Sequence, residues 1–260
     1  KRTIQPHKVV TSVDTAVEAL TISIGERACI DLGYMSSLSG KSIDELTDDL
    51  QGVIFHDPKL GTLEDYAGWV TADEYLSGNV RQKLKEAEAA AAENPMYQSN
   101  VEALRAAQPK DLEASEIEVR LGATWIDKSY VQQFMYELLD TPPYLKRYIH
   151  VEYSPYTAAW NISGKGKIYS NDIAAWNTYG TDYVNAYEIL EDSLNLRDVR
   201  VYDTVRDETG KEKRVLNSKQ TTLAQQKQQL IRDAFKDWIW ADPTRRQTLV
   251  EQYNQEMNSI

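Results

Sequence analysis

Between residues 13 and 55 the chain is punctuated so closely by helix starts and stops that only short elements fit. Val13, Val17 and Leu20 recur on one helical stripe. Thr21 to Ile24 reads as a short β-like stretch, Gly25-Glu26-Arg27 as a turn, and Cys29-Ile30-Asp31 as a second extended piece. Asp31 stands where it can cap a helix carrying Leu32, Met35 and Leu38, because a short carboxylate accepts the free N–H groups of a first turn. Gly40 is placed to end that helix in the left-handed conformation. Ser42-Ile43-Asp44-Glu45 is a capping box that opens a third helix bearing Ile43, Leu46 and Leu50. Val53-Ile54-Phe55 and Trp69-Val70 then read as two strands across a loop containing Asp57-Pro58 and Gly61.

Three helices followed by a hairpin is the order of a winged helix, expected over residues 1–75. Such a module presents its third helix to a DNA major groove. Here that helix carries Asp44, Glu45, Asp48 and Asp49, which share the sign of phosphate. The module therefore reads as a protein-docking or spacer domain. The charge bias is local as well as global. Residues 41–75 hold nine acids and two bases, residues 211–260 nine bases and six acids, and the whole chain carries a net charge of -11. Attraction to nucleic acid needs positive potential, so any DNA contact must come from a local basic patch.

A helical hairpin is expected over 76–110. Thr71-Ala72-Asp73-Glu74 is a further capping box, and Asn79 can cap a helix over Val80 to Ala92. Pro95 marks the bend, and Val101, Leu104 and Ala107 line a return helix ending before Pro109. An α+β domain follows over 111–220. Ile117 to Leu121, Tyr148 to Tyr153, Ala158 to Ile162 and Val199 to Val205 read as strands of one small mixed sheet, and Arg214 to Leu216 returns from a charged tip at Asp207 to Glu212. Helices at Tyr130 to Leu139, capped by Asp127 or Ser129, and at Tyr183 to Leu194 pack on it. The 221–260 segment is helical, broken at Asp242-Pro243. Leu230, Ile231, Ala234, Phe235, Trp238 and Ile239 form its apolar stripe. The fold class expected is α+β, with a winged-helix-like start and long C-terminal helices.

Several runs resemble a known family. They are Glu18-Ala19-Leu20 through Asp31-Leu32-Gly33-Tyr34-Met35 with Leu50-Gln51-Gly52-Val53-Ile54-Phe55, Trp69 through Leu84, Val101-Glu102-Ala103-Leu104 with Glu116-Ile117-Glu118-Val119-Arg120-Leu121-Gly122, and Ala234-Phe235-Lys236-Asp237-Trp238-Ile239-Trp240 with Asp242-Pro243-Thr244-Arg245-Arg246. Together they resemble the region between the methyltransferase part and the Swi/Snf-type helicase part of very large proteins of conjugative elements, plasmids and phages. The resemblance implies a fragment of a longer polypeptide, with ATP and S-adenosylmethionine bound by flanking domains and none by this region. It supplies no catalytic residue here. A start at Lys1 rather than Met agrees with a fragment.

No catalytic constellation can be assembled from the residues themselves. Ser163-Gly164-Lys165-Gly166-Lys167 lacks the spacing and terminal hydroxyl of a phosphate-cradling loop and reads as a basic turn. Asp140-Thr141-Pro142-Pro143-Tyr144 is a near miss of the adenine-methyltransferase motif and reads as a helix stop with a rigid turn. His7, His56 and His150 have no second histidine at ligand spacing, and Cys29 is the only cysteine, so no metal site is expected. The pairs Asp48/Asp49 and Glu191/Asp192 read as solvated helix faces. No run approaches the length of a membrane helix, and a cytoplasmic setting is expected.

Aromatic residues are the remaining signal. Tyr153, Tyr156, Trp160, Tyr169, Trp176, Tyr179 and Tyr183 fall in one window with Lys165 and Lys167. Rings beside cations suit single-strand or flipped-base contact. The same rings could instead pack the small sheet. The candidate nucleic-acid contacts are Lys165, Lys167, Tyr156, Trp160 and Trp176, with Lys211, Lys213, Arg214, Arg245 and Arg246 of the late basic segment. The function expected is a non-catalytic accessory region that helps engage DNA. The alternative is a scaffold that positions flanking helicase and methyltransferase domains without touching DNA.

Overall fold

The computed structural model describes residues 11–62, 67–206 and 208–259. Lys1, Arg2, His7, Asp207 and Ile260 lie outside the described residues. Two compact units are present, Lys1–Asp111 with Asn254–Ile260, and Leu112–Tyr253.

In the first unit, helix α1 spans Ala16–Arg27. Its start is set by a reciprocal box: Thr15 accepts from the Glu18 N–H, and the Glu18 carboxylate accepts from the Thr15 N–H. The β-like stretch expected at Thr21 to Ile24 is instead the middle of this helix. Ala16, Ala19, Leu20 and Ser23 continue one buried face through it, and the Thr21 hydroxyl donates back to the Val17 carbonyl. Helix α2 is Leu32–Ser39, capped by Asp31 and closed by Gly40 at φ 71. Helix α3 is Ile43–Asp49, opened by the Ser42/Glu45 box. Strands β1 (Ile54–His56) and β2 (Trp69–Thr71) pair antiparallel, with Phe55 opposite Val70. Ile54 joins Ala19, Leu32, Met35, Leu46 and Leu50 in the core of the helical trio.

The other face of that ribbon is covered too. Helix α4 (Ala72–Tyr75) is capped by Thr71, α5 (Val80–Glu93) by Asn79, and α6 (Gln98–Ala106) returns after the bend at Pro95–Tyr97. Phe55 and Val70 share a core with Tyr75, Val80, Ala87, Val101 and Leu104. Alternation along a strand thus feeds two separate cores. The Asn100 amide donates to the His56 carbonyl at 2.9 Å and to the Tyr75 hydroxyl at 3.0 Å, which ties the hairpin to the ribbon.

In the second unit, Ile117, Val119 and Leu121 are buried while Glu118 and Arg120 are exposed, the alternation that was expected. No strand forms there. Alternation reports one buried face, and pairing additionally needs a free edge. Helix α7 is Lys128–Leu138, capped by Asp127, and α8 is Pro143–Lys146. Strands β3 (Val151–Ser154) and β4 (Ala159–Ile162) pair antiparallel. Helix α9 is Ala186–Leu194, so the helix expected from Tyr183 begins later, at the Asn185/Glu188 capping box. Strands β5 (Tyr202–Arg206) and β6 (Glu212–Leu216) form a separate antiparallel ribbon.

One mixed sheet was expected, and two ribbons stand in its place. The reason is where the backbone donors go. The β4 N–H groups of Trp160 and Ile162 are taken by the side chains of Asn195 and Glu191. Val199 and Val201, read as strand residues, donate to Gln228 and Thr221. No ladder donor is left there for a further strand.

Helix α10 spans Ser218–Ala241 and α11 spans Pro243–Glu256. The buried face of α10 is Thr221, Ala224, Gln228, Ile231, Phe235 and Ile239. Leu230, assigned to the apolar stripe, lies off this face and is 51% exposed. Phe235 meets Phe134 edge to face at 5.0 Å between ring centroids. Phe235→Ala should therefore cost about 3–5 kcal/mol of stability, and Leu230→Ala no more than about 0.5 kcal/mol. Urea unfolding of the two variants checks both values, and equal losses would overturn this helix register.

Candidate nucleic-acid interface

Pro142 and Pro143 end one helix and start the next, so the run from Tyr144 to His150 is brought to the surface as α8 and the strand entry that follows it. The β3–β4 ladder continues one step beyond its strands. The Ser163 N–H donates to the His150 carbonyl at 2.9 Å, and the Ser163 hydroxyl donates to the Tyr148 carbonyl at 3.0 Å. Gly164 then turns the chain at φ 69. A Cβ at this position would sit 2.5 Å from the Tyr148 carbonyl oxygen, so only glycine allows the approach. The turn Lys165–Lys167 that follows is folded back over Tyr148.

The result is a ring flanked by two cations. The Lys167 ammonium lies 4.1 Å from the centroid of Tyr148, and the Arg147 guanidinium carbon 4.6 Å from it. Lys146 lies 5.0 Å from the ring of Tyr136, whose hydroxyl donates to the Ile149 carbonyl. Burial pushes the Tyr136 phenol pKa up, which keeps it a neutral donor. Lys146, Arg147 and Lys167 are exposed, and none has a carboxylate partner among the described residues. Each cation over an exposed ring gains only about 0.5–1 kcal/mol. The charges are therefore held in place and remain available to an anion.

The start of α8 and the run from Tyr169 to Thr178 border a hollow of about 500 Å³, lined in part by Asp140, Tyr144, Tyr169, Asp172 and Ile173. Tyr144, Tyr169 and Ile173 are 54%, 63% and 72% exposed, an unusual outlay of apolar surface at one opening. The Asp140-Thr141-Pro142-Pro143-Tyr144 turn forms one wall. Its anchor is Thr141, which is buried and bonded at 2.7 Å to the Tyr187 hydroxyl. The hydroxyl at this motif position therefore holds the turn down. Asp172 is also engaged, capping the Ala175 N–H.

The other expected contacts are dispersed. Lys165 is spent on Glu191, which also accepts from the Ile162 N–H. Glu191 and Asp192 are thus no solvated pair: Asp192 is held by Arg197, and burial pushes its pKa up. Trp160 lies in the core at 5% exposure, with its ring 4.7 Å from that of Tyr153, so it offers no face to a base. Trp176 packs against the same core. Tyr156, at the β3–β4 turn, is 99% exposed. Lys211, Lys213 and Arg214 belong to the exposed β5–β6 ribbon, where Arg214 lies over Tyr202 at 4.6 Å. Arg245 is buried. It closes the end of α10 by donating to the Ile239 and Trp238 carbonyls, with its guanidinium 3.5 Å from the Trp238 ring. Arg246 is exposed and donates to the Trp240 carbonyl at 3.3 Å.

Sequence reasoning missed this group: Tyr148 was read as the first residue of a strand, which starts instead at Val151, and Lys146 and Arg147 were given no role. The available signal was two adjacent bases between Tyr144 and Tyr148 in an acidic chain.

Comparison with protein families gives two matches. Residues 120–259 match the family described as Domain of unknown function (DUF8437). Residues 12–69, which hold α1 to α3 and the start of β2, match the family described as Probable helicase, winged helix domain. Neither the curated proteins nor the solved structures contain a match. No catalytic domain is among the matched families. Among the described residues, no group of three or more metal-ligating side chains gathers, and no helix is long and apolar enough to cross a membrane.

Two outcomes follow from this geometry. Gly164→Ala should destabilise the second unit by at least about 1–2 kcal/mol, the cost of forcing a Cβ into the left-handed region, as read by urea unfolding. The second concerns pH. Burial pushes Tyr187 up to about 12 from an ordinary value near 10. Burial favours the neutral phenol over the phenolate, so the stability that this contributes is fully present below about pH 10 and is lost as pH rises from about 10 to about 12. The melting temperature should fall across that window, and less steeply in Tyr187→Phe.

Proposed function

We propose, from the premise that this chain belongs to the family described as Domain of unknown function (DUF8437) and carries a helicase-type winged helix ahead of that domain, that it is a non-catalytic accessory region of a DNA helicase that engages single-stranded DNA. The observation that carries this reading is that Arg147 and Lys167 lie over Tyr148 and Lys146 over Tyr136, with no carboxylate paired to any of the three cations among the described residues. Cations track a phosphate backbone, and ring faces that carry no cation accept unstacked bases of any sequence. Tyr144 and Tyr169 at the mouth of the neighbouring hollow extend that platform, and Tyr156 and the β5–β6 ribbon are further contacts. In this reading the parent polypeptide is a cytoplasmic protein of a mobile element. Its flanking helicase and methyltransferase parts bind ATP and S-adenosylmethionine.

Fluorescence anisotropy with labelled oligo-dT tests the proposal. Binding should weaken with salt, with a log–log slope of about -2 for three phosphates on a single strand. K146Q/R147Q/K167Q should flatten that slope and remove most of the affinity. No binding of the intact chain at about 50 mM salt would sink the proposal, since electrostatic binding is strongest at low salt.

A scaffold reading is favoured by one observation, the acidic surface of α3. Asp44, Glu45, Asp48 and Asp49 occupy the helix that a DNA-reading winged helix would insert, and Asp49 is paired with Lys41. In that reading the chain positions its flanking helicase and methyltransferase domains without contacting DNA.

A further inference from the structure

We propose that the second unit also holds a phosphate-binding pocket, built by Arg120, Arg232 and Lys236, which shares no residue with the Arg147–Lys167 patch. A hollow of about 270 Å³ is lined by these three cations together with Gln229, and no Asp or Glu lines it. In a chain of net charge -11, three bases around one hollow without a lining acid is a local inversion of the protein's charge.

Two features of the fold create it. Gly122, at φ 86, lies so close to the end of α9 that a Cβ would sit 2.2 Å from the Leu194 carbonyl oxygen. This contact brings the Arg120–Ala123 turn, closed by the Ala123 N–H donating to the Arg120 carbonyl at 3.2 Å, onto the end of α9. Helix α10 supplies Gln229, Arg232 and Lys236 from the positions beside its buried Gln228, Ile231 and Phe235. Arg232 and Lys236 are one turn apart, a spacing at which like charges repel. Asp198 meets Arg232 at 3.3 Å but is 70% exposed, and such a pair contributes little. Arg120 and Lys236 have no ion-pair partner among the described residues.

An anion seated among the three turns mutual repulsion into attraction. The Gln229 amide is taken by Asp233 at 2.8 Å, so the two guanidinium groups, with the Lys236 ammonium, present the donors that match tetrahedral phosphate oxygens. The volume lies below the range of about 300–1,000 Å³ that holds a whole drug-sized ligand. The occupant is therefore a single phosphate group, from a nucleic-acid backbone or from a free nucleotide.

Thermal melting and calorimetry of the full chain test this with inorganic phosphate against chloride at matched ionic strength. Phosphate should raise the melting temperature of the unaltered chain, since a ligand of the folded state stabilises it. In R120Q/K236Q the shift should vanish and phosphate affinity should fall about tenfold or more, the loss expected for charged hydrogen-bond partners. Both residues are exposed, so circular dichroism should be unchanged. R147Q/K167Q should keep the phosphate shift, which separates this pocket from the patch. Competition by oligo-dT would assign the phosphate to a strand, and competition by ATP to a nucleotide. No phosphate shift in the unaltered chain, or an equal shift in R120Q/K236Q, would overturn the proposal.

Discussion

The carboxylate of Glu191 is the interaction on which the second unit depends most. It accepts the Ile162 N–H from β4 and the ammonium of Lys165 from the turn beyond it. The side chain is 15% exposed, so its charge is largely removed from water. A partly buried carboxylate is stabilised by charge-assisted hydrogen bonds, and here a backbone donor and a cation meet on its Oε2. Asn195, one turn along α9, does the same for Trp160 with both its amide oxygen and its amide nitrogen. One helix face thereby stops the β-ribbon from recruiting a third strand and fixes the turn that carries Lys167.

That arrangement explains how an acidic chain can present a cationic surface. Lys165 is neutralised by Glu191, and this anchoring leaves Lys167, two residues on, to lie over Tyr148. The ring is approached from its other chain neighbour by Arg147. Charge is thus used in two ways within three residues, once to tie down backbone and once to face solvent. The winged-helix module has the reverse character. Its acids cap α3 through Glu45 or pair with Lys41 through Asp49, and its third helix keeps a negative surface.

Much of the secondary structure was legible because its signals are local. Asp31, Gly40, Ser42 with Glu45, Asn79 and Asp127 each satisfy backbone groups within a turn of themselves, and each sits at the helix end assigned to it. Strand content was less legible. Val199 and Val201 look like strand residues because they are β-branched and buried, yet their N–H groups go to side chains of α10 distant in sequence. Of the candidate contacts, Lys167 lies exposed whereas Trp160 and Arg245 are buried, a difference that no local pattern reports, because exposure depends on what packs above a residue. Arg245 is basic by composition and structural by position, closing a helix with hydrogen bonds and stacking on Trp238.

By itself, then, the sequence determined the capped starts of α2, α3, α5 and α7, the three-helix-and-hairpin order of the first module, the acidic third helix and the alternation that buries Ile117, Val119 and Leu121. These follow from capping, chirality and side-chain period, which act over a few residues. Tertiary structure alone decided that the strands pair as separate ribbons, that Lys146, Arg147 and Lys167 converge around tyrosine rings, and that Arg120 meets Arg232 and Lys236. Those outcomes depend on which distant side chain claims each backbone donor and on glycines at 122 and 164 that let one segment touch another. Contacts of that range are set by packing in three dimensions, to which the local pattern of residues is blind.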